Sequence, residues 1–406
     1  MGQLITAQVH LKRLCEDMGS RRVGSPDNQQ ATDYFAEITA GFHAHVKQQS
    51  FNCMDWQTRG AELNVDGQIF KVHSSPYSLG CNVTTLLRSA GNLDELKNLD
   101  SPGCILLLHG ELTREQLFPL HFPFYNPPEH QQMYQLLEEK RPVAILTATS
   151  RNPELAGGQY PFPLIEDGDF DIPSVFMTSE EGDRLIPFVG KSAHLVSRAE
   201  RIPSHGCNVI ACFNPAAPKK IVLTAHIDAK DGSPGALDNG TGVVILLLLA
   251  ELLQSYQGHH GIELVAINGE DYYGATGEVT YFKENENLIQ DILININFDG
   301  VGYKDGGTEF SLYDCENGLA SLVKSTLSSY ADISEGASWP QSDHMVFVQQ
   351  GIPAIAFTSQ QFPYLTSAIT HTANDRLELV DCKKLVQTAD VVYQLLKLLD
   401  GYFFNK

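Results

Sequence analysis

The residues able to do chemistry gather first in one stretch, Ile221 to Gly240 (IVLTAHIDAKDGSPGALDNG). A short β-rich apolar run, Ile221 to Leu223, leads toward His226, and Asp228 follows two residues after it, so both side chains leave the strand on one side. A loop with Gly232, Pro234 and Gly235 then leads to Asp238, and an apolar run from Val243 to Leu253 reads as a buried helix. An imidazole can bind a divalent cation, and a carboxylate two residues away can hold the ring's other N–H. A further aspartate can bridge to a second cation. The plainer reading of the same three residues is a His–Asp hydrogen bond tying a strand end to its loop.

Groups of the same kind recur downstream, each at the end of an apolar run. Glu270 and Asp271 follow the strand expected at Ile262–Asn268, and Asp299 follows the one at Asp291–Phe298. Ser342, Asp343 and His344 precede the strand at Pro353–Phe357, and His371 lies in the loop after it, before Asp375. Parallel strands all end on one face of a sheet, so groups far apart in sequence can converge there. Capping of a following helix accounts for any one acidic pair. It does not readily account for several strand ends in succession carrying ligand-type groups.

Positioning these groups takes the β/α alternation that begins after Pro203. Strands are expected at 208–213 and 220–225, then at the three places just named. Helices are expected at 243–253, 275–286 and 319–330, with a closing helix inside 377–399. Two helices, at 4–18 and 27–42, open the chain, the second with Asp27 as its N-cap. Between 51 and 203 the character changes to short β-rich runs, two helical stretches (129–140 and 179–188) and proline clusters. That segment holds no metal-ligand spacing, serine elbow or phosphate loop, and His109, His121 and His130 read there as loop or surface residues. The expected fold class is α/β: a doubly wound, mostly parallel sheet flanked by helices, from 1–50 and 204–406, with a smaller α/β domain inserted at 51–203.

Composition limits the function. The chain has 406 residues, 43% hydrophobic and 19% charged, ordinary for a soluble protein. Its 49 acidic against 28 basic residues give a net charge of −21, which repels phosphate backbones, and no basic stripe offsets it, so nucleic acid is not an expected partner. The longest apolar run is too short to span a bilayer, so no membrane is expected either. Eight scattered cysteines include no Cys-x-x-Cys, and Cys207 and Cys212, five apart in one strand-like run, face opposite sides. Free thiols suit a cytoplasmic protein, or a secreted or periplasmic one whose signal peptide has been removed. Nothing in the pattern specifies an oligomeric state.

His226-x-Asp228, Gly235-Ala-Leu-Asp238-Asn239-Gly-Thr-Gly242, Asn268-Gly-Glu270-Asp271, Asp299-Gly and His371 together resemble the dinuclear zinc exopeptidases. That family includes bacterial leucyl aminopeptidases, aminopeptidase Y and glutamate carboxypeptidase. The motifs stand in the family's order, and the likeness covers about 1–50 and 204–406. The middle segment is similar to the protease-associated domain often inserted in these enzymes. The resemblance implies a metallo-aminopeptidase that binds two divalent ions, expected to be Zn²⁺, and acts on peptides with a free N-terminus. It assigns His226 and Asp299 to one zinc, Asp271 and His371 to the other, and Asp238 as the bridge. Asp228 would orient His226, Glu270 would be the general base, and Asp343 and His344 would match a motif supporting the ligands and lining the substrate pocket. It also implies a non-proline cis peptide at Asp238-Asn239. One position departs, since the commonest family sequence has Glu-Glu where this chain has Glu270-Asp271. The same fold also serves glutaminyl cyclases with one zinc, glutamate carboxypeptidases, and transferrin-receptor-like binding proteins that have lost ligands. Here every ligand position is filled.

Overall fold

The structure is a computed structural model that describes residues 2–150 and 161–406. The chain divides into two compact units, Met1–Cys53 with His205–Lys406, and Met54–Ser204.

The first unit opens with α1 (Gly2–Lys12) and α2 (Pro26–Gly41). α2 is capped by Ser25, whose hydroxyl accepts from Asn28 N at 3.2 Å, and not by Asp27. Pro26 at the first helical position has no N–H to satisfy, so the cap falls one residue before it. Two long strands, β1 (His45–Val65) and β2 (Ser192–Phe213), carry the chain across the boundaries between the units. Then follow β3 (Lys220–His226), α3 (Thr241–Leu253), β4 (Gly261–Ile267), α4 (Thr276–Glu284), β5 (Ile292–Phe298) and β6 (Thr308–Tyr313). The unit closes with α5 (Asn317–Leu327), β7 (Ile333–Glu335), α6 (His344–Gln349), β8 (Ala354–Ser359), α7 (Phe362–Ala368) and α8 (Cys382–Phe404).

The strands order as β7-β6-β8-β5-β3-β4-β2. β8, β5, β3 and β4 run parallel, while β6 and β2 pair antiparallel on either side of them. In register, Ile267 lies opposite His226 and Phe298 opposite Phe357. The C-terminal ends of four parallel strands therefore share one edge, where α/β sheets bind ligands.

α3 holds this edge in place. Its 13 residues include one acidic group, Glu251, and eleven of them are buried. It packs against α1, α2, α8 and the sheet. Counted with the preceding turn, Ala236–Leu253 is long and apolar enough to cross a membrane, but 89% of that stretch is buried within the unit. Leu246 has no exposed surface. Leu246→Ala should therefore cost about 2–5 kcal/mol, read as a lower denaturant midpoint at unchanged slope. An unchanged midpoint would mean that the surrounding core collapses onto the gap.

The second unit has its own layers. Strands Cys81–Ala90, Ile105–Leu108, Ala144–Thr149 and Ser174–Thr178 run parallel in that order, with helices Leu93–Asn98, Pro128–Lys140 and Ser179–Leu185. His130 is not the surface residue expected. It is buried, its Nδ1 accepts from Phe118 N at 3.0 Å, and Nε2 lies 3.2 Å from Glu115 Oε1. The ring thus ties the proline-rich loop to the helix that follows it.

Candidate metal centre

His226, Asp228, Asp271 and Asp299 stand at or just past strand ends, whereas Asp238 lies in the turn before α3 and His371 in the loop after α7. His226 is the last residue of β3, and Asp228 stands just beyond it. Asp228 accepts from Gly269 N at 2.8 Å through one oxygen and from Asp271 N at 3.1 Å through the other. It thereby fastens the loop after β4 to the loop after β3, while its nearer oxygen lies 3.7 Å from His226 Nδ1. A reciprocal amide pair, Asn28 with Asn268 at 2.8 and 2.9 Å, anchors the same loop to α2. Asp238 sits in the turn before α3, and its bond to Asn239 is cis. The Asn239 amide donates to Phe298 O at 2.7 Å and accepts from Gly242 N at 3.1 Å, joining this turn to the end of β5. A Cβ at Gly242 would lie 2.6 Å from Phe298 O, so only glycine allows that approach.

Four of the expected residues meet around Asp238, the fifth. Its Oδ1 lies 3.1 Å from His226 Nε2, and its Oδ2 lies 3.0 Å from His371 Nε2. Asp299 reaches to 3.7 Å of His226 Nε2, and Asp271 to 2.7 Å of His371 Nε2. Ligand atoms of His226, Asp238 and Asp299 lie within 4.8 Å of one another, as do those of Asp238, Asp271 and His371. Glu270, half-buried, forms a third such group with His226 and Asp271.

Burial pushes the His226 imidazolium down, yet the carboxylates of Asp228, Asp238, Asp299 and Glu270 carry it well above the ordinary histidine range. His371 is carried up in the same way by Asp271 and Asp238. Glu270 is raised well above a usual carboxylate by burial, with Asp271, Asp299 and Asp343 adding to it. The site thus packs more negative charge than its two imidazoles can balance. Both ring nitrogens of His226 and one oxygen of Asp271 are buried without a hydrogen-bond partner. Imidazole nitrogens and carboxylate oxygens left unpartnered in this way suit zinc, which takes this donor set in tetrahedral or slightly expanded geometry. The residues present fit a divalent cation.

Asp343 and His344 are not among the clustered ligand groups. Asp343 is buried at the start of α6, with neither carboxylate oxygen hydrogen-bonded. The His344 ring stands 4.5 Å from Tyr313 and 4.6 Å from Trp339, and Trp339 in turn lies 4.6 Å from Phe362. Burial holds the His344 imidazole down to about 4, so it is a neutral member of an aromatic wall. Two residues that sequence reasoning gave no role lie under the centre: Asp375, beneath the Asp238 turn, and Arg21, whose guanidinium is fully buried. One of two adjacent arginines between glycines and a carboxylate four residues past a histidine carry no recognisable spacing.

Fold and clustered side chains define the class: an α/β domain with a candidate divalent-cation site at the ends of its parallel strands. Residues 208–396 match the profile of peptidase family M28. The chain is similar to aminopeptidase YwaD of Bacillus subtilis, at 24% identity over 57% of this chain and 52% of that protein. It is similar too to the probable lipoprotein aminopeptidase LpqL of Mycobacterium tuberculosis, at 24% over 74% and 58%. The matches thus span little more than half the length of these two curated relatives. Among solved structures, BSAP, a zinc aminopeptidase from Bacillus subtilis, superposes with a TM-score of 0.73 at 23% identity, over 96% of this chain and 93% of that one. That likeness is one of fold.

Proposed function

We propose that this protein is an aminopeptidase that holds two zinc ions and releases single residues from peptides with a free N-terminus. The observation that carries the reading is the division of Asp238, one oxygen 3.1 Å from His226 and the other 3.0 Å from His371. A carboxylate so divided suits a ligand shared by two cations. The match of residues 208–396 to peptidase family M28 and the aminopeptidases among the similar proteins support the reaction class. His226 and Asp299 would hold one ion, Asp271 and His371 the other, with Asp238 common to both.

When bound, such ions polarise the scissile carbonyl and lower the pKa of the attacking water. Glu270 takes the proton of that water as its oxygen bonds to the carbonyl carbon, then returns it to the amine as the C–N bond breaks. Asp228 keeps Glu270 and Asp271 in register by holding Gly269 N and Asp271 N. The surplus of carboxylates suits a substrate that brings a positive α-amino group. Residues 51–203 are proposed to be an inserted protease-associated-like domain. Support for this comes from its own parallel sheet and from the location of every candidate ligand group, among the described residues, in the first unit.

The test is elemental analysis together with turnover of aminoacyl anilides and their N-acetylated forms. A strong chelator should abolish activity, and Zn²⁺ or Co²⁺ should restore it. Acetylation removes a charged hydrogen-bonding group, worth about 1.5–3 kcal/mol, so kcat/KM should fall by about 10–100-fold. Equal rates on the acetylated substrates would exclude aminopeptidase action. Release of C-terminal glutamate would move the protein to the carboxypeptidase reading, and conversion of N-terminal glutamine to a lactam without hydrolysis to the cyclase reading.

A further inference from the structure

Three consecutive N–H groups point at one residue. Ala236 N donates to the backbone carbonyl of Asp375 at 3.3 Å, Leu237 N to its Oδ1 at 2.7 Å, and Asp238 N to its Oδ2 at 3.0 Å. Asp375 has no exposed surface. On its other side it closes the loop that carries His371, donating its own N–H to Thr372 O at 3.2 Å. The Thr372 hydroxyl pins that loop further, donating to Ile369 O at 2.6 Å and accepting from Asn374 N at 3.1 Å. Inside it His371 takes a φ of 59°, a left-handed conformation that a histidine keeps only where its surroundings hold it. Beneath the Asp238 turn, the Arg21 guanidinium donates to Ile227 O, Pro234 O and Gly235 O at 2.9, 3.0 and 2.9 Å.

From this arrangement we infer that Asp375 is a positioning residue, locking the turn that bears Asp238 to the loop that bears His371. The inference rests on the two-cation reading, in which these two residues ligate the same ion. A carboxylate is needed because it accepts at both oxygens, and its charge strengthens each hydrogen bond. An asparagine offers one oxygen and one NH₂, so one of Leu237 N and Asp238 N would face a donor. Zinc–ligand distances vary by only a few tenths of an ångström. A shift of the Asp238 backbone therefore reaches the ion directly.

The experiment titrates metal-free protein with Zn²⁺ and with Co²⁺, comparing wild type with Asp375→Asn. Wild type should take up two equivalents. The variant should keep one, bind the other about 10–100-fold more weakly, and show an altered visible Co²⁺ band for that equivalent. Two equivalents at wild-type affinity with an unchanged band would overturn the role of Asp375 and leave the two-cation reading standing. Fewer than two equivalents in wild type would overturn that reading and the inference with it. If circular dichroism shows that the asparagine variant does not fold, Thr372→Val serves in its place. Loss of the hydroxyl's bonds to Ile369 and Asn374 should weaken the same equivalent by about 2–10-fold, and an unchanged affinity would overturn the proposal.

Discussion

Asp238→Ala should strip both cations at once and leave peptidase activity at background. On the proposed assignment every other ligand serves one position, so Asp299→Ala or Asp271→Ala should empty one site first. Asp238 is the residue whose two oxygens face different imidazoles, at 3.1 and 3.0 Å. Loss of a supporting partner alone costs about 10–100-fold in metal affinity, and loss of the ligand itself should cost more than that at each site. The fold should survive, because the contacts that hold the turn do not use this carboxylate. Asp375 holds the backbone N–H groups, and the Asn239 amide holds the end of β5. Elemental analysis after dialysis reads the result, with the thermal midpoint of the metal-free proteins as control. Retention of two equivalents would show that the carboxylate is not shared.

The second large effect belongs to Glu270→Gln. The amide has the same size but cannot accept the proton of the attacking water, so kcat should fall by about 10²–10⁴-fold. Metal content should not change, since glutamine disturbs neither Asp238 nor the loop that Asp228 holds through Gly269 and Asp271. That pairing separates a proton-transfer role from a ligand role. Turnover within a few-fold of wild type would leave Glu270 as a residue that only caps the start of the following loop.

The α/β class was legible because the parallel strands are short apolar runs, each ending in a polar residue. Ile221–Leu223, Ile262–Ile267 and Ile292–Phe298 all read this way, and their ends are where His226, Asp271 and Asp299 stand. β6 was not foreseen. Its sequence, Thr308-Glu-Phe-Ser-Leu-Tyr313, alternates and has no continuous apolar run, as suits an antiparallel strand. Most of β1 was missed for a related reason: much of it is exposed and polar, so little hydrophobic period marks it. Asp375 was visible only as a landmark. It meets its partners through backbone N–H groups of residues 236–238, which no side-chain spacing can report. Arg21 works in the same way, through carbonyls of residues 227, 234 and 235.

The enclosure of α3 bears on how this protein can evolve. The turn bearing Asp238 runs directly into a helix whose residues from Thr241 to Ala250 are all buried. Few of its positions are free to drift, because a swap that adds or removes a methylene displaces the helix against the sheet. Such a displacement is passed to Asp238 with no flexible segment between to absorb it. Selection on turnover therefore also acts on core volume. Among descendants of this chain, changes in α3 should arise as compensated pairs with α1, α2 or α8, whereas polar surface loops vary one residue at a time.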